Sequence, residues 1–119
     1  RGVSESFWVI TGTKSDGSLS KDLALALQSS ATIVILMGMS KIEQIAELCI
    51  QHGKADLPIA VVQQGTTVHQ KVGIGTAKNI KFVVEHNKLS NPAVIVLGEV
   101  VKFASTTTLQ SIAQKKFSV

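Results

Sequence analysis

Few side chains in this sequence could carry covalent, acid–base or metal chemistry, and their spacing does not assemble them. The single cysteine, Cys49, and the three histidines, His52, His69 and His86, share no metal-ligand interval. The sequence holds no serine–histidine–aspartate arrangement and no acid and base paired on one motif. Asp16 precedes Gly17 and reads as a turn residue. Glu99 follows an apolar run and Gly98, which leaves it either a functional carboxylate at a strand end or a capping or surface residue. Two glycine turns, Met37-Gly38 and Gln64-Gly65-Thr66, are more informative, because each closes an apolar run. Backbone N–H and C=O groups with small side chains suit a flat base and a ribose better than a charged reactant. Met37, Gly38, Ala60, Gly65 and Thr66 make up this candidate surface.

The elements that must position these turns can be read from residues 31–66. Thr32 to Met37 is apolar without alternation, as a strand covered on both faces would be. Ser40-Lys41-Ile42-Glu43 has capping-box spacing, and Ile42, Ile45, Ala46, Leu48 and Cys49 then form one helical stripe ending at Gly53. Leu57 to Val62 is a second buried strand with Pro58 at its start, where a missing N–H is tolerated. This strand–helix–strand unit places both glycine turns at the carboxyl ends of parallel strands, the edge where open α/β sheets bind ligands. Most such turns are connections only, and a methionine at a strand end can equally be a core residue.

The rest of the chain extends the pattern. Residues 4–11 read as an opening strand, with Phe7, Val9 and Thr11 on one face and Trp8 and Ile10 on the other. Ser20 can cap a helix over about 21–29 carrying Leu23, Ala24 and Leu27. Residues 70–75 read as a short strand whose Gly73 and Gly75 suit a close approach of another element. Their Gly-x-Gly lacks the third glycine and the lysine of phosphate loops. Thr76 can cap a helix with Ile80, Val83 and Val84 inward, and Asn91-Pro92 leads to a last buried strand, Ala93 to Leu97. Residues 104–119 hold at most a weak amphipathic helix through Leu109, Ile112, Ala113 and Phe117. The expected fold is an α/β three-layer sandwich: a mixed, mainly parallel five-stranded sheet, antiparallel at the 71–75 strand, with helices on both faces.

Composition narrows the function classes. With 45% hydrophobic residues and a mean hydropathy of +0.29, 119 residues suffice for one folded domain with a core. The longest apolar run is far short of the roughly 20 residues of a membrane helix, and no signal-peptide segment follows Arg1. The net charge of +4 comes from scattered lysines, which argues against nucleic acid but suits a polyanionic small molecule. A lone cysteine on an apolar helical stripe is a core residue by preference, and it fits a reducing cytoplasm. The chain opens on Arg1 rather than Met, so the expectation is a piece of a longer protein.

Leu-Met-Gly-Met at 36–39, Ala-Asp-Leu-Pro-Ile-Ala-Val-Val-Gln-Gln-Gly-Thr-Thr at 55–67 and Lys-Val-Gly-Ile-Gly-Thr at 71–76 resemble the tetrapyrrole methylase superfamily. The nearest likeness is to the C-terminal half of the uroporphyrinogen-III C-methyltransferases. Residues 92–101 resemble that family's terminal strand, and Arg1-Gly2 and Thr11-Gly12 its approach to the second domain. The resemblance implies that residues 1–119 form a single domain, the C-terminal half of a two-domain methyltransferase whose N-terminal domain is absent from this sequence. It implies S-adenosyl-L-methionine as methyl donor, S-adenosyl-L-homocysteine as product, and Met37, Gly65 and then Ala60 as cofactor contacts. The family's catalytic candidates fall in the other half, so none is expected here, and no metal. The implied substrate is uroporphyrinogen III, converted to precorrin-2 for sirohaem and cobalamin synthesis by a cytoplasmic homodimer, with neither nucleic acid nor membrane as partner. Two departures stand out: Gln64 replaces an asparagine and Thr13 a histidine. Another methyltransferase of the superfamily, or a stand-alone α/β binding or dimerisation module, remains the alternative.

Overall fold

In the computed structural model the described residues are 7–11, 21–29, 31–63, 71–89, 93–103 and Leu109. Thr13, the Asp16-Gly17 turn, the Ser20 cap, Gly65-Thr66, His69 and the Asn91-Pro92 turn lie outside them, as does the tail apart from Leu109. Among the described residues five strands form one sheet: β1 (Phe7–Thr11), β2 (Thr32–Leu36), β3 (Pro58–Gln63), β4 (Lys71–Thr76) and β5 (Ala93–Leu97). Their spatial order is β1-β2-β5-β3-β4. The helices are α1 (Asp22–Ala26), α2 (Ile42–Gln51), α3 (Ile80–His86) and α4 (Val100–Phe103), with a 3-10 turn at Met39–Lys41 leading into α2.

The sheet is mixed, as expected, and β4 is antiparallel to β3. β1, β2 and β3 share one direction, but β5 slots between β2 and β3 antiparallel to both, so among the described residues only the β1–β2 ladder is parallel. The reason lies in connectivity. A strand–helix–strand crossover preserves strand direction, so β2-α2-β3 runs one way. The hairpin to β4 then reverses the chain, and β4-α3-β5 keeps the reversed direction.

Handedness also explains the layers. Right-handed crossovers are strongly preferred, and reversing both strand direction and order across the sheet leaves the crossover helix on the same face. Residues from α1 (Leu23, Ala26), α2 (Ile45, Cys49) and α3 (Ile80, Val84) accordingly share one core with Ile10, Ile35, Ile59 and Ile95. The opposite face is covered by α4 through Val101 and by Leu109, over Val34, Ala60, Val62, Val94 and Val96. Helices thus flank both faces, but unequally.

Two caps differ from the sequence reading. Ser40 lies within the 3-10 turn and Lys41 is the N-cap of α2, without a side-chain cap. Glu43 instead meets Lys81 of α3 at 3.0 Å. At α3 the N-cap is Asn79 rather than Thr76, and the Asn79 Oδ1 accepts the Thr76 N–H at 2.8 Å. The glycines of β4 do admit a close neighbour: a Cβ at Gly73 would stand 2.6 Å from Leu89 Cδ1 and 2.9 Å from Val83 Cγ1.

Candidate functional site

Because β1, β2 and β3 point one way, their carboxyl ends at Thr11, Leu36 and Gln63 share one edge, joined by the amino ends of β5 and β4. Met37 leaves β2 at this edge. Gln63 is the matching position on β3, with Ala93 of β5 paired to it and Lys71 of β4 on its other side. At ordinary strand spacing the ends of β2 and β3 lie about 10 Å apart, two ladder steps. Met37 is 69% exposed, and its φ of +56° lies in the left-handed region. Gly38 follows, buried, with its carbonyl accepting the Lys41 N–H at 2.9 Å. Met37 is therefore not a core methionine.

Ala60 is placed differently from the sequence reading. It pairs with Val96 and Ile74 and is fully buried on the α4 face. That is three residues, or about 10 Å of strand, inside the edge rung at Gln63. Ala60 therefore belongs to the packing of β3 and is not brought together with Met37. Gly65 follows β3 by two residues and lies outside the described residues.

The other sequence candidates fall away from this edge. Glu99 follows β5 at the opposite edge and pairs with Lys102 at 3.4 Å. A cleft of about 370 Å³ lies at that edge, lined by Leu27, Ile33, Lys54, Leu57, Leu97 and Glu99 among others. Its charges are engaged within the chain. The Lys54 ammonium donates to the carbonyls of Leu27 and Ser29, and Asp56 pairs with Lys78 at 2.8 Å, which holds its carboxyl below the usual range. These bonds tie α1, the α2–β3 connection and β4's end together, so the cleft is explained by structure. Cys49 is fully buried, and burial pushes its thiol up to about 11, which removes it as a nucleophile. His52 caps α2, while His86 ends α3 and stacks on Phe82 at 5.5 Å between ring centroids. No group of three metal-ligating side chains occurs among the described residues. Nor is any described helix long and apolar enough to cross a membrane.

Fold and edge together define the class: an open, mixed α/β domain whose candidate ligand surface is a backbone turn at strand ends with a lysine, Lys71, at its margin. Residues 2–81 match the model of the Tetrapyrrole (Corrin/Porphyrin) Methylases, and the chain belongs to that family. It is 41% identical over 90 residues to an S-adenosyl-L-methionine-dependent uroporphyrinogen III methyltransferase of Methanosarcina barkeri, covering 75% of this chain and 34% of that protein. It is 37% identical over 103 residues to a siroheme synthase of Methylobacillus flagellatus, covering 86% and 22%. Among solved structures it superposes on a uroporphyrin-III C-methyl transferase of Thermus thermophilus complexed with S-adenyl homocysteine. The TM-score is 0.71 at 25% identity, over 87% of this chain and 46% of that one. The chain thus spans about a third or less of these curated relatives and just under half of the solved neighbour.

Proposed function

We propose that this chain is the C-terminal domain of a two-domain, S-adenosyl-L-methionine-dependent uroporphyrinogen-III C-methyltransferase that makes precorrin-2 for sirohaem and cobalamin synthesis. The observation that carries the reading is the Met37-Gly38 turn at the shared carboxyl edge of β1–β3, in a chain of this family. The residues present fit an adenosyl group. A polarizable thioether stands exposed at the edge, and such a group packs well against an aromatic ring. The bound cofactor would supply an electrophilic methyl on its sulfonium. Met37, with Gly65 beyond the end of β3, would hold the adenosyl portion between them. Ala60 would contribute by its small size in β3 rather than by contact. Lys71, exposed at the outer margin of the edge, would attract a substrate carboxylate. A second wall for the cofactor, the acid–base groups and the shielding from water that alignment requires would come from the N-terminal domain. The protein would work as a cytoplasmic homodimer. The test is methylation of uroporphyrinogen III by the full-length protein, with this chain alone assayed beside it. Product from the full-length protein and no multiple turnover by the chain alone supports the reading. Absence of methyl transfer by the full-length protein overturns it.

A further inference from the structure

The lysines divide by the end of the fold at which they stand. Lys78 pairs with Asp56 at 2.8 Å, Lys81 with Glu43 at 3.0 Å and Lys102 with Glu99 at 3.4 Å. Lys54 is held by the carbonyls of Leu27 and Ser29. All of these belong to segments that start from the edge opposite the ligand edge: the α2–β3 connection, the turn from β4 into α3, and α4. Lys41, Lys71 and Lys88 have no acid partner among the described residues. Lys21, which precedes α1, has none either, but residues 12–20 before it lie outside the described ones.

Lys41, Lys71 and Lys88 all stand at the ligand edge, on the side that α2 and α3 cover. Lys71 opens β4 and shares a face with Gly73, because side chains alternate along a strand. Asn87 and Leu89, the residues on either side of Lys88, both reach Gly73, so the exposed Lys88 stands near Lys71. Glu85 lies three residues before Lys88 on α3 and forms no ion pair with it. Lys41 closes the turn after Met37-Gly38 and is the N-cap of α2, without a side-chain bond. A helix prefers an acceptor or an anion at that position, and a cation opposes its dipole. The charge of Lys41 therefore does nothing for α2. From β2 to β4 there are three ladder steps, about 14 Å. The edge thus carries a cation at each end, with Gln63 and Ala93 between them.

We infer that Lys41 and Lys88, together with Lys71, are specificity-determining residues: a divided cationic rim that selects a flat macrocycle bearing carboxylates around its whole periphery over one carboxylated less heavily. The inference rests on the function proposed above and adds to it two residues and a basis of selection. Charges left unpaired beside a neutral surface steer an anionic ligand and fix its register. Each exposed lysine contributes little by itself, so discrimination comes from how many carboxylates the two ends of the rim meet at once. The lysines of the opposite edge are neutralised by their own partners and give no such field.

The test uses the full-length protein and fluorescence titration with two stable probes, a porphyrin octacarboxylate and a porphyrin tetracarboxylate, at low and high salt. The double variant Lys41→Gln with Lys88→Gln is compared with a control of equal net charge, Lys78→Gln with Lys102→Gln. At low salt the Lys41/Lys88 variant should bind the octacarboxylate about five- to twentyfold more weakly than the parent, as two exposed charges of modest worth would give. Its loss for the tetracarboxylate should be about twofold, and the control should stay within about twofold for both. Added salt should close the gap. Equal losses in the variant and the control, or equal losses for the two porphyrins, overturn the inference, as does a parent that binds neither. A parent that binds the octacarboxylate in this salt-dependent way yet transfers no methyl group upholds the rim and sinks the proposed function.

Discussion

Gly38→Ala tests how the ligand edge is anchored to the core. The added Cβ would lie 2.6 Å from Ile35 Cγ2, whereas carbon atoms rest at about 3.5–4.0 Å, so roughly 1 Å must open. Ile35 cannot supply it. It is fully buried, β-branched and therefore stiff at χ1, and its strand is bonded to β1 on one side and β5 on the other. Retreat the other way meets Ile45 and Ile95 at 3.3 Å. Overpacking of this kind costs about 1–3 kcal/mol. The decisive assay is a double-mutant cycle by urea denaturation with Ile35→Ala, which by itself should cost about 2–5 kcal/mol. In the double variant the new methyl enters space that Ile35 vacates. The two losses should therefore sum to at least about 1 kcal/mol more than the double variant shows, as residues in contact do. Strict additivity, or a Gly38→Ala protein as stable as the parent, would refute the reasoning.

Cys49 makes stability depend on alkaline pH. Its folded value of about 11 exceeds the ordinary 9.0, so between these values the unfolded state gives up a proton that the folded state keeps. Stability is full below about pH 9 and falls as pH rises towards 11, by roughly 3 kcal/mol in all at 1.36 kcal/mol per unit. Denaturant titrations of the parent and Cys49→Ala across this range should differ by that slope, and the parent thiol should resist Ellman's reagent at pH 8. In the full-length protein, on the function proposed above, Lys71→Ala should raise KM for uroporphyrinogen III about two- to fivefold with kcat unchanged, as fits an exposed charge worth under about 1 kcal/mol. The difference should shrink in added salt, and a kcat effect alone would contradict the assignment.

Much of this architecture could be read from the residues because burial leaves long marks. β2, β3 and β5 are buried along nearly their whole length, and each is an unbroken apolar run in the sequence. The stripe from Ile42 to Cys49 likewise fixes α2. The direction of β5 was not legible, because an apolar run carries no sign of which way its neighbours point. That followed from the β3–β4 hairpin and the right-handed return through α3. Ser40 looked like a cap because its spacing to Glu43 is right, but the 3-10 turn moved the N-cap to Lys41 and Lys81 drew Glu43 away. Ala60 was grouped with the strand-end turns, although the register sets it three residues inward. The left-handed turn at Met37 was hidden by Gly38, since a glycine beside a strand end suggests that it takes the positive φ itself. Only the crowding by Ile35, Ile45 and Ile95 shows that this glycine was needed for space.

Oxidation of the two methionines under dilute hydrogen peroxide tests the central claim, an adenosyl cofactor seated on Met37, most directly. Met37 is exposed, whereas Met39, two residues on, packs against the core and serves as internal control. The full-length protein would be oxidised with and without saturating S-adenosylhomocysteine, and the sulfoxide at each position followed by fragment mass spectrometry. The account expects the ligand to slow oxidation of Met37 severalfold while leaving Met39 unchanged. Equal rates at Met37, with calorimetry showing the ligand bound, would place the cofactor elsewhere and contradict the account.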